Sequence, residues 1–446
     1  MKRRFRLILP IIAIAILFGS IGWWAMPTVV SWMPSRYRYR LPQPILDRIT
    51  TPVPTSLPPP EQAADREQLT IPLIDLAPGS PTAVVPPSST PTPEDSPLPA
   101  SVTEKPTAVP TPSPAPSPTP TSLPPSALIE GIKIVAQEFN NCGPANLSML
   151  LRFHQIDINQ LEIARVLRPN EDDRNVTPEE LVRFVTENTP LQAASFRGGD
   201  LGLLKRLLVA GFPVVIEKGL IHDEVTGWMG HYLILIGYND ARQQFYGMDS
   251  FLGPWDSTGR AEAYGQFQEQ WRHFNYAFYL VYPPGRSAEV EEILGPELLE
   301  PAAMWQRAAL LAHAEINEDD RDPFAWFNLG SSLTRMGDVT GELDYYQNAV
   351  IAFDLAREIG LPARMLWYQF EPYVAYLAAG RLDDLFTLAD ATLAYEGGKG
   401  VEETFLYRGH ALLASGNLSG ARAAYQKALD LNPGYQLARD ALSQLP

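Results

Sequence analysis

The sequence predicts two folded parts of different class behind a long unfolded lead: an α+β domain over residues 127–286 and an all-helical repeat over residues 300–446. Three observations predict this. Of the 43 prolines, 23 lie between Thr51 and Ala127, so the lead cannot bury enough apolar surface to pack. The next stretch begins with helical spacing and then changes to short β-rich runs, the order of an α+β arrangement. Beyond Pro301 the spacing is helical throughout and recurs.

The N-terminus reads as an address. Lys2, Arg3, Arg4 and Arg6 precede an apolar run from Leu7 to Met26, and about 20 helical residues cross the hydrocarbon core of a bilayer. Positive charge ahead of the run predicts a retained single-pass membrane anchor over residues 1–35, with a cytoplasmic N-terminus and extracytoplasmic folded domains. Trp23, Trp24 and Trp32 suit an interface belt. Pro10 inside the run and Arg36, Arg38 and Arg40 beyond it depart from the simplest pattern, and a cleaved signal peptide with Ser20 and Gly22 near its end is the alternative. Residues 36–126 read as a disordered stalk rich in Pro, Ser and Thr. In polyproline conformation, at about 3.1 Å per residue, its Pro-rich stretch reaches on the order of 200 Å. A more apolar patch from Gln68 to Leu76 is left without assigned structure.

In the α+β part, Leu128 to Gln137 reads as a short strand, and Cys142 to Phe153 has helical spacing in Ala145, Met149, Leu150 and Phe153. Thr177 with Glu180 forms a capping box for a helix to Asn188, and Asp200 caps another from Leu201 to Ala210. Then "PVVIE", "HYLILIGY", "QFYGMD" and "YAFYLVYP" read as strands bounded by Gly, Asn, Asp or Pro. In the helical part, "WFNLGSSL" before Gly337 and the stretch from Phe405 to Pro433 place small residues where paired helices approach and large ones between them. Phe405, Gly409, Leu412, Gly416, Ala421, Tyr425, Ala428 and Pro433 resemble the tetratricopeptide pattern, and a degenerate unit from Leu366 to Glu396 makes about three repeats.

The chemistry centres on the only cysteine, Cys142, in "QEFNNCGPANLSML". A single cysteine excludes an intrachain disulfide framework and a Cys-rich zinc site. Net charge −16 argues against nucleic acid as a partner, since phosphate binding needs clustered Lys and Arg. A cysteine where a loop becomes a helix N-terminus is favoured as thiolate by the helix dipole, and the free amides there help hold an oxyanion. Gly143 and Pro144 fit a first helical turn, and the Gln137 side chain offers a second oxyanion donor. A thiolate needs a base, which is distant in sequence and near only in the fold. His154 lies at the far end of the same helix, roughly 18 Å away at about 1.5 Å per residue. His313 and His410 fall in the repeats, and His273 follows a Trp-containing helical stretch. His231, at the head of an apolar strand behind Gly227 and Gly230, is the best candidate. Asp249, at the end of the next strand, would orient it; Asp240, in the turn between those strands, is the rival.

Taken in order, Gln137, "NNCGPANLSMLL", "GHYLILIGYND", "YGMDS", "YGQFQEQW" and "YAFYLVYP" resemble the papain-like cysteine peptidases of the bacteriocin-processing type (cysteine peptidase family thirty-nine), stand-alone branch. The resemblance spans about Ile132 to Pro284. It implies a papain-like domain with N-terminal helices and a C-terminal antiparallel sheet, Cys142 as nucleophile, His231 as base and acid, Asp249 as orienter and Gln137 in the oxyanion hole. No cofactor or metal is implied. The phosphate-binding motif of the transporter-fused members is absent, and an extracytoplasmic position does not suit leader peptides processed on the cytoplasmic side. The expectation is therefore a thiol hydrolase acting on a peptide or isopeptide bond of a peptide or protein substrate, with the repeats binding a protein partner. The alternative is a non-catalytic adaptor in which both parts are binding modules.

Overall fold

The computed structural model describes Ile45 and residues 55–62, 65–69, 123–221 and 227–446. The expected membrane anchor lies outside the described residues, and no helix among the described residues is long and apolar enough to cross a membrane.

The first part is a seven-stranded antiparallel sheet covered on both faces. Its elements in chain order are β1 (Ser126–Leu128), α1 (Cys142–Phe153), α2 (Gln160–Leu167), α3 (Pro178–Asn188), β2 (Gln192–Phe196), α4 (Leu201–Val209), β3 (Val214–Ile221), β4 (Trp228–Asn239), β5 (Gln244–Met248), β6 (Arg260–Ala263), α5 (Tyr264–Trp271) and β7 (Phe278–Tyr282). The strands run in the order β2-β7-β3-β4-β5-β6, with β1 added to the far end of β4. Strand alternation sorts the core into two layers. Tyr232, Ile234, Ile236, Tyr279 and Val281 pack with α1, α2 and α3. Leu233, Leu235, Phe278 and Leu280 pack with α4 and α5 on the other face. The Thr177–Glu180 capping box and the Asp200 cap form as the sequence predicts.

Three local expectations change. The ladder of β1 stops at Leu128, and residues 129–137 carry no strand; the Ile129 amide still bonds to Ile236 O. Helices and strands also interleave, because β2 follows α3 and pairs with the last strand β7. His231 is not the head of its strand: β4 begins at Trp228, and His231 pairs with Lys218 inside the β3–β4 ladder. Two glycines, Gly227 and Gly230, read as a boundary in sequence, yet Gly230 continues the ladder opposite Gly219.

Short helices α6 (Ser287–Leu294) and α7 (Pro296–Leu299) lead into the repeats: α8 (Pro301–Glu318), α9 (Pro323–Thr340), α10 (Leu343–Ile359), α11 (Glu371–Ala378), α12 (Leu382–Leu393), α13 (Glu402–Ala414), α14 (Leu418–Leu431) and α15 (Gln436–Ser443). Close approach explains the small residues. A Cβ on Gly409 would lie 2.4 Å from the Tyr425 ring, and one on Gly330 would lie 2.7 Å from Phe353. The two parts meet in one buried cluster. Trp228 and Phe274 of the sheet part stack on each other (ring centroids 5.7 Å apart) within the same buried cluster as Phe327, Leu333 and Tyr373. Asn275 and Gln369 bridge the boundary by hydrogen bonds to Ser332 and to His273 O.

The disordered-stalk expectation also needs correcting for part of its length. Residues 55–62 and 65–69 lie on the repeats, with the Leu57 amide bonded to Leu361 O at 2.8 Å and the Leu57 side chain buried in the repeat core. Composition missed this because prolines expose bare carbonyls to a receptor surface and lose little entropy on docking.

Candidate active site

Cys142 is the first residue of α1 and is half-buried. The loop ahead of it is shaped by the two asparagines of "NNC". Asn140 takes a left-handed conformation (φ 57°), which asparagine tolerates better than most residues, and its side chain reaches the carbonyls of Glu171 and Asp173. Asn141 does not cap the helix with its side chain; it bonds instead to Gln160 and accepts a 2.7 Å hydrogen bond from Arg168. The first-turn amides of α1, which have no partners within the helix, are therefore left without a side-chain cap. Arg168 ties the loop down, donating also to the carbonyls of Phe139, Asn170, Glu171 and Asp173. Burial lowers its pKa, and the negative charges of Asp173 and Cys142 oppose that.

His231 arrives from β4 and Asp249 from the end of β5, both essentially buried. His231 Nε2 lies 3.0 Å from Asp249 Oδ1, and Cys142 is near enough to the imidazole to act on its charge. With Nε2 engaged by the carboxylate, Nδ1 is the nitrogen left for sulfur. Burial alone would lower the His231 pKa, but the Asp249 charge and hydrogen bond, with the nearby Cys142, outweigh it and raise the pKa to about 9. Burial pushes Asp249 the other way, yet the His231 charge and hydrogen bond, with the Leu252 and Phe251 amides, lower it to about 2. Those amides donate to Asp249 Oδ1 at 2.8 and 2.9 Å. Between these two values the pair is imidazolium and carboxylate.

Gln137 joins the same constellation through Ser250. Its amide N–H donates to Ser250 O, and its Oε1 accepts from the Ser250 hydroxyl, both at 2.9 Å. This fixes the carboxamide by its oxygen and leaves the Nε2 end as donor. Asn146 completes the link: its side-chain amide donates to Cys142 O (2.8 Å), Tyr232 O (3.1 Å) and Ser250 Oγ (3.3 Å). One fully buried asparagine thus ties the nucleophile's helix to the strand of His231 and to the residue after Asp249. It opens a sequon in the sequence, but a buried amide with these bonds is no glycan acceptor.

The other expected residues go elsewhere. Asp240 pairs with Lys205 at 2.6 Å and accepts from the Tyr264 hydroxyl, so it does not orient His231. His154 bonds Val281 O at the end of α1, and His410 bonds the Tyr425 hydroxyl. His273 accepts from Trp228 Nε1 at 3.1 Å and stacks on Phe324; burial, with a contribution from Arg272, lowers its pKa to about 3. Among the described residues no group of His, Cys, Asp and Glu could hold a metal. Sequence reasoning missed Arg168, Asn146 and Ser250. Their only signals were the paired asparagines before Cys142 and the serine of "YGMDS", which mark hydrogen-bonding positions without naming partners.

Residues 129–278 match the model of the Peptidase_C39 like family, and residues 402–435 match that of the tetratricopeptide repeat. No curated protein matches the chain. Solved structures that match include a C39-like peptidase of Bacillus anthracis (18% identity, 35% of this chain and 96% of that one, TM-score 0.29). Another is the peptidase domain of Streptococcus ComA, a bi-functional ABC transporter of a quorum-sensing pathway (16%, 34% and 99%, TM-score 0.28). A third is a double glycine motif protease from an AMS/PCAT transporter in complex with its leader peptide (17%, 35% and 94%, TM-score 0.26). Residues 129–278 therefore carry a likeness to the Peptidase_C39 like family and residues 402–435 one to the tetratricopeptide repeat, the two resemblances that the motifs around Cys142 and Gly409 announce in the sequence.

Proposed function

We propose that the chain is a cysteine peptidase-like thiol hydrolase of peptide or isopeptide bonds. The observation that carries this is His231, buried, hydrogen-bonded to Asp249 at 3.0 Å and raised in pKa by the nearby Cys142 as well as by Asp249. The Cys142 thiolate attacks the carbonyl carbon and forms the C–S bond. The oxyanion is received by the first-turn amides of α1 and by Gln137 Nε2. As the C–N bond breaks, the His231 imidazolium gives its proton to the leaving amine. Neutral His231 then takes a proton from water, whose oxygen attacks the thioester, and the carboxylic acid leaves as Cys142 is restored. Asp249 stays ionised throughout and holds the ring. The repeats bring substrate or a protein partner to this domain.

The positive charges and apolar run at the N-terminus support an extracytoplasmic, membrane-anchored placement. Because Cys142 is the only thiol, one reagent tests both points. Iodoacetamide is expected to alkylate Cys142 faster than a free thiol near neutral pH; an equal or slower rate removes the activated nucleophile. A membrane-impermeant maleimide is expected to label it on intact cells, and labelling only after lysis overturns the placement.

A further inference from the structure

The stalk segment on the repeats is held by a built site. The Arg357 guanidinium, whose side chain is 1% exposed, donates from Nε to Pro58 O at 3.0 Å and from Nη2 to Pro59 O at 2.8 Å. Its Nη1 is held by Asp384 and the Tyr376 hydroxyl, both at 2.8 Å, which fixes the fork toward the proline carbonyls. Asp384 also accepts the Glu61 amide at 3.0 Å, and Thr387 donates to the Glu61 carboxylate at 2.9 Å. Leu57 fills an apolar position against the chain around Leu361. Further on, Arg66 pairs with Asp320 at 3.1 Å and lies over the Trp326 ring. The recognised pattern is a leucine, two prolines read through their carbonyls, and a glutamate four residues after the leucine.

We propose that this face of α10 and α12 is a peptide-binding site for an extended proline-rich segment, and that its ligand is the chain's own stalk, residues Leu57 to Glu61. The inference does not depend on the thiol chemistry at Cys142. Several features mark the segment as a ligand rather than a fixed element. It forms no regular pairing with the repeats, and only one of its side chains, Leu57, is fully buried. Its contacts are those of polyproline recognition, in which a pre-extended backbone offers acceptors at low entropic cost. Residues 70–122 connect it to the sheet part, and closing a loop of about fifty residues gives an effective concentration on the order of millimolar. The site is thus filled in cis.

The test uses the full chain and a fluorescent peptide of residues 52–69. Leu57→Asp in the chain places a charge in the apolar position and vacates the site. That variant is expected to bind the wild-type peptide at least 100-fold more tightly than the wild-type chain does, and to ignore a peptide carrying Leu57→Asp. If the variant keeps its helical circular dichroism yet binds the peptide no better than wild type, the proposal is overturned. A second measurement covers a variant that fails to fold: a specific protease site is inserted within residues 70–122 of the otherwise unaltered chain and cut. Excess 52–69 peptide is expected to release the N-terminal fragment on gel filtration; a fragment that stays bound makes the segment a permanent part of the fold. The alkylation rate of Cys142 is expected to be unchanged in both, so failure here leaves the hydrolase reading standing.

Discussion

The two walls of the candidate site are held in different ways. The wall bearing Cys142 is local and polar: Asn140, Asn141 and Arg168 pin a short loop by hydrogen bonds to carbonyls within residues 139–173. The wall bearing His231 and Asp249 is non-local. It depends on the β3–β4–β5 ladders and is buttressed from outside by the repeats, where Tyr368 packs against Gly230 and Trp228. A Cβ on Gly230 would lie 2.8 Å from both Tyr368 and Phe274. The nucleophile is thus placed by its own neighbourhood, whereas the base is placed by a strand held in register by β3 and β5 and packed against the repeats. Asn146 and Gln137 tie the two walls together through Tyr232 O and Ser250.

The largest break in this arrangement is His231→Ala, expected to lower hydrolysis by about 10²–10⁴-fold, the usual span for a general acid–base group. The pH dependence sharpens the point. The pKa of His231 is raised, so its contribution to stability is whole below 6.5 and is lost as pH rises through about 9. That of Asp249 is lowered, so its contribution is present above 3.8 and lost as pH falls through about 2. Activity that needs the imidazolium as acid is expected to fall with an alkaline limb near pH 9, and Asp249→Asn to move that limb to lower pH in a pH–rate profile. An unchanged limb would show that the carboxylate does not act on the imidazole.

Gln137→Ala removes one oxyanion donor and is expected to cost about 10²–10³-fold in kcat with little change in KM. Ser250→Ala, which frees the carboxamide and removes one acceptor of Asn146, is expected to cost about tenfold, a smaller loss on the same assay. Equal losses would make Ser250 more than a positioning residue.

Two stability variants separate the walls. Arg168→Met removes the donor to Asn141 Oδ1 and to the loop carbonyls of Phe139, Asn170, Glu171 and Asp173, and is expected to cost roughly 3 kcal/mol in denaturant unfolding while slowing Cys142 alkylation. Gly230→Ala forces the strand and the repeats apart and is expected to cost about 1–3 kcal/mol, with the alkaline limb shifted and the nucleophile loop intact. If both variants change alkylation and limb alike, the two walls are one unit.

Much of the fold was legible where the cause is local. The capping box Thr177–Glu180 and the Asp200 cap, the change from helical to strand period, and the small residues of the last repeat all act within a few residues of themselves. The site was legible in part for the same reason: a cysteine opening a helix is a local pattern, and Gln137, His231 and Asp249 were candidates by chemistry and order. The partners of Asn146 and Arg168 could not be read, because a hydrogen bond between residues far apart in the chain, such as that from Asn146 to Tyr232 O, leaves no periodicity. Nor could the docking of Leu57 on Leu361, since a proline-rich segment looks unfolded until a receptor for its carbonyls is in place.

By itself the sequence determined which groups can do thiol chemistry and on which kind of element each sits, because helix caps, strand alternation and residue type are properties of short segments. Only the tertiary structure decided that Asp249 rather than Asp240 meets His231, that His273 is taken by Trp228, and that the repeats pack against the strand of His231. Those choices rest on which distant surfaces bury each other, and burial is settled by the whole chain at once.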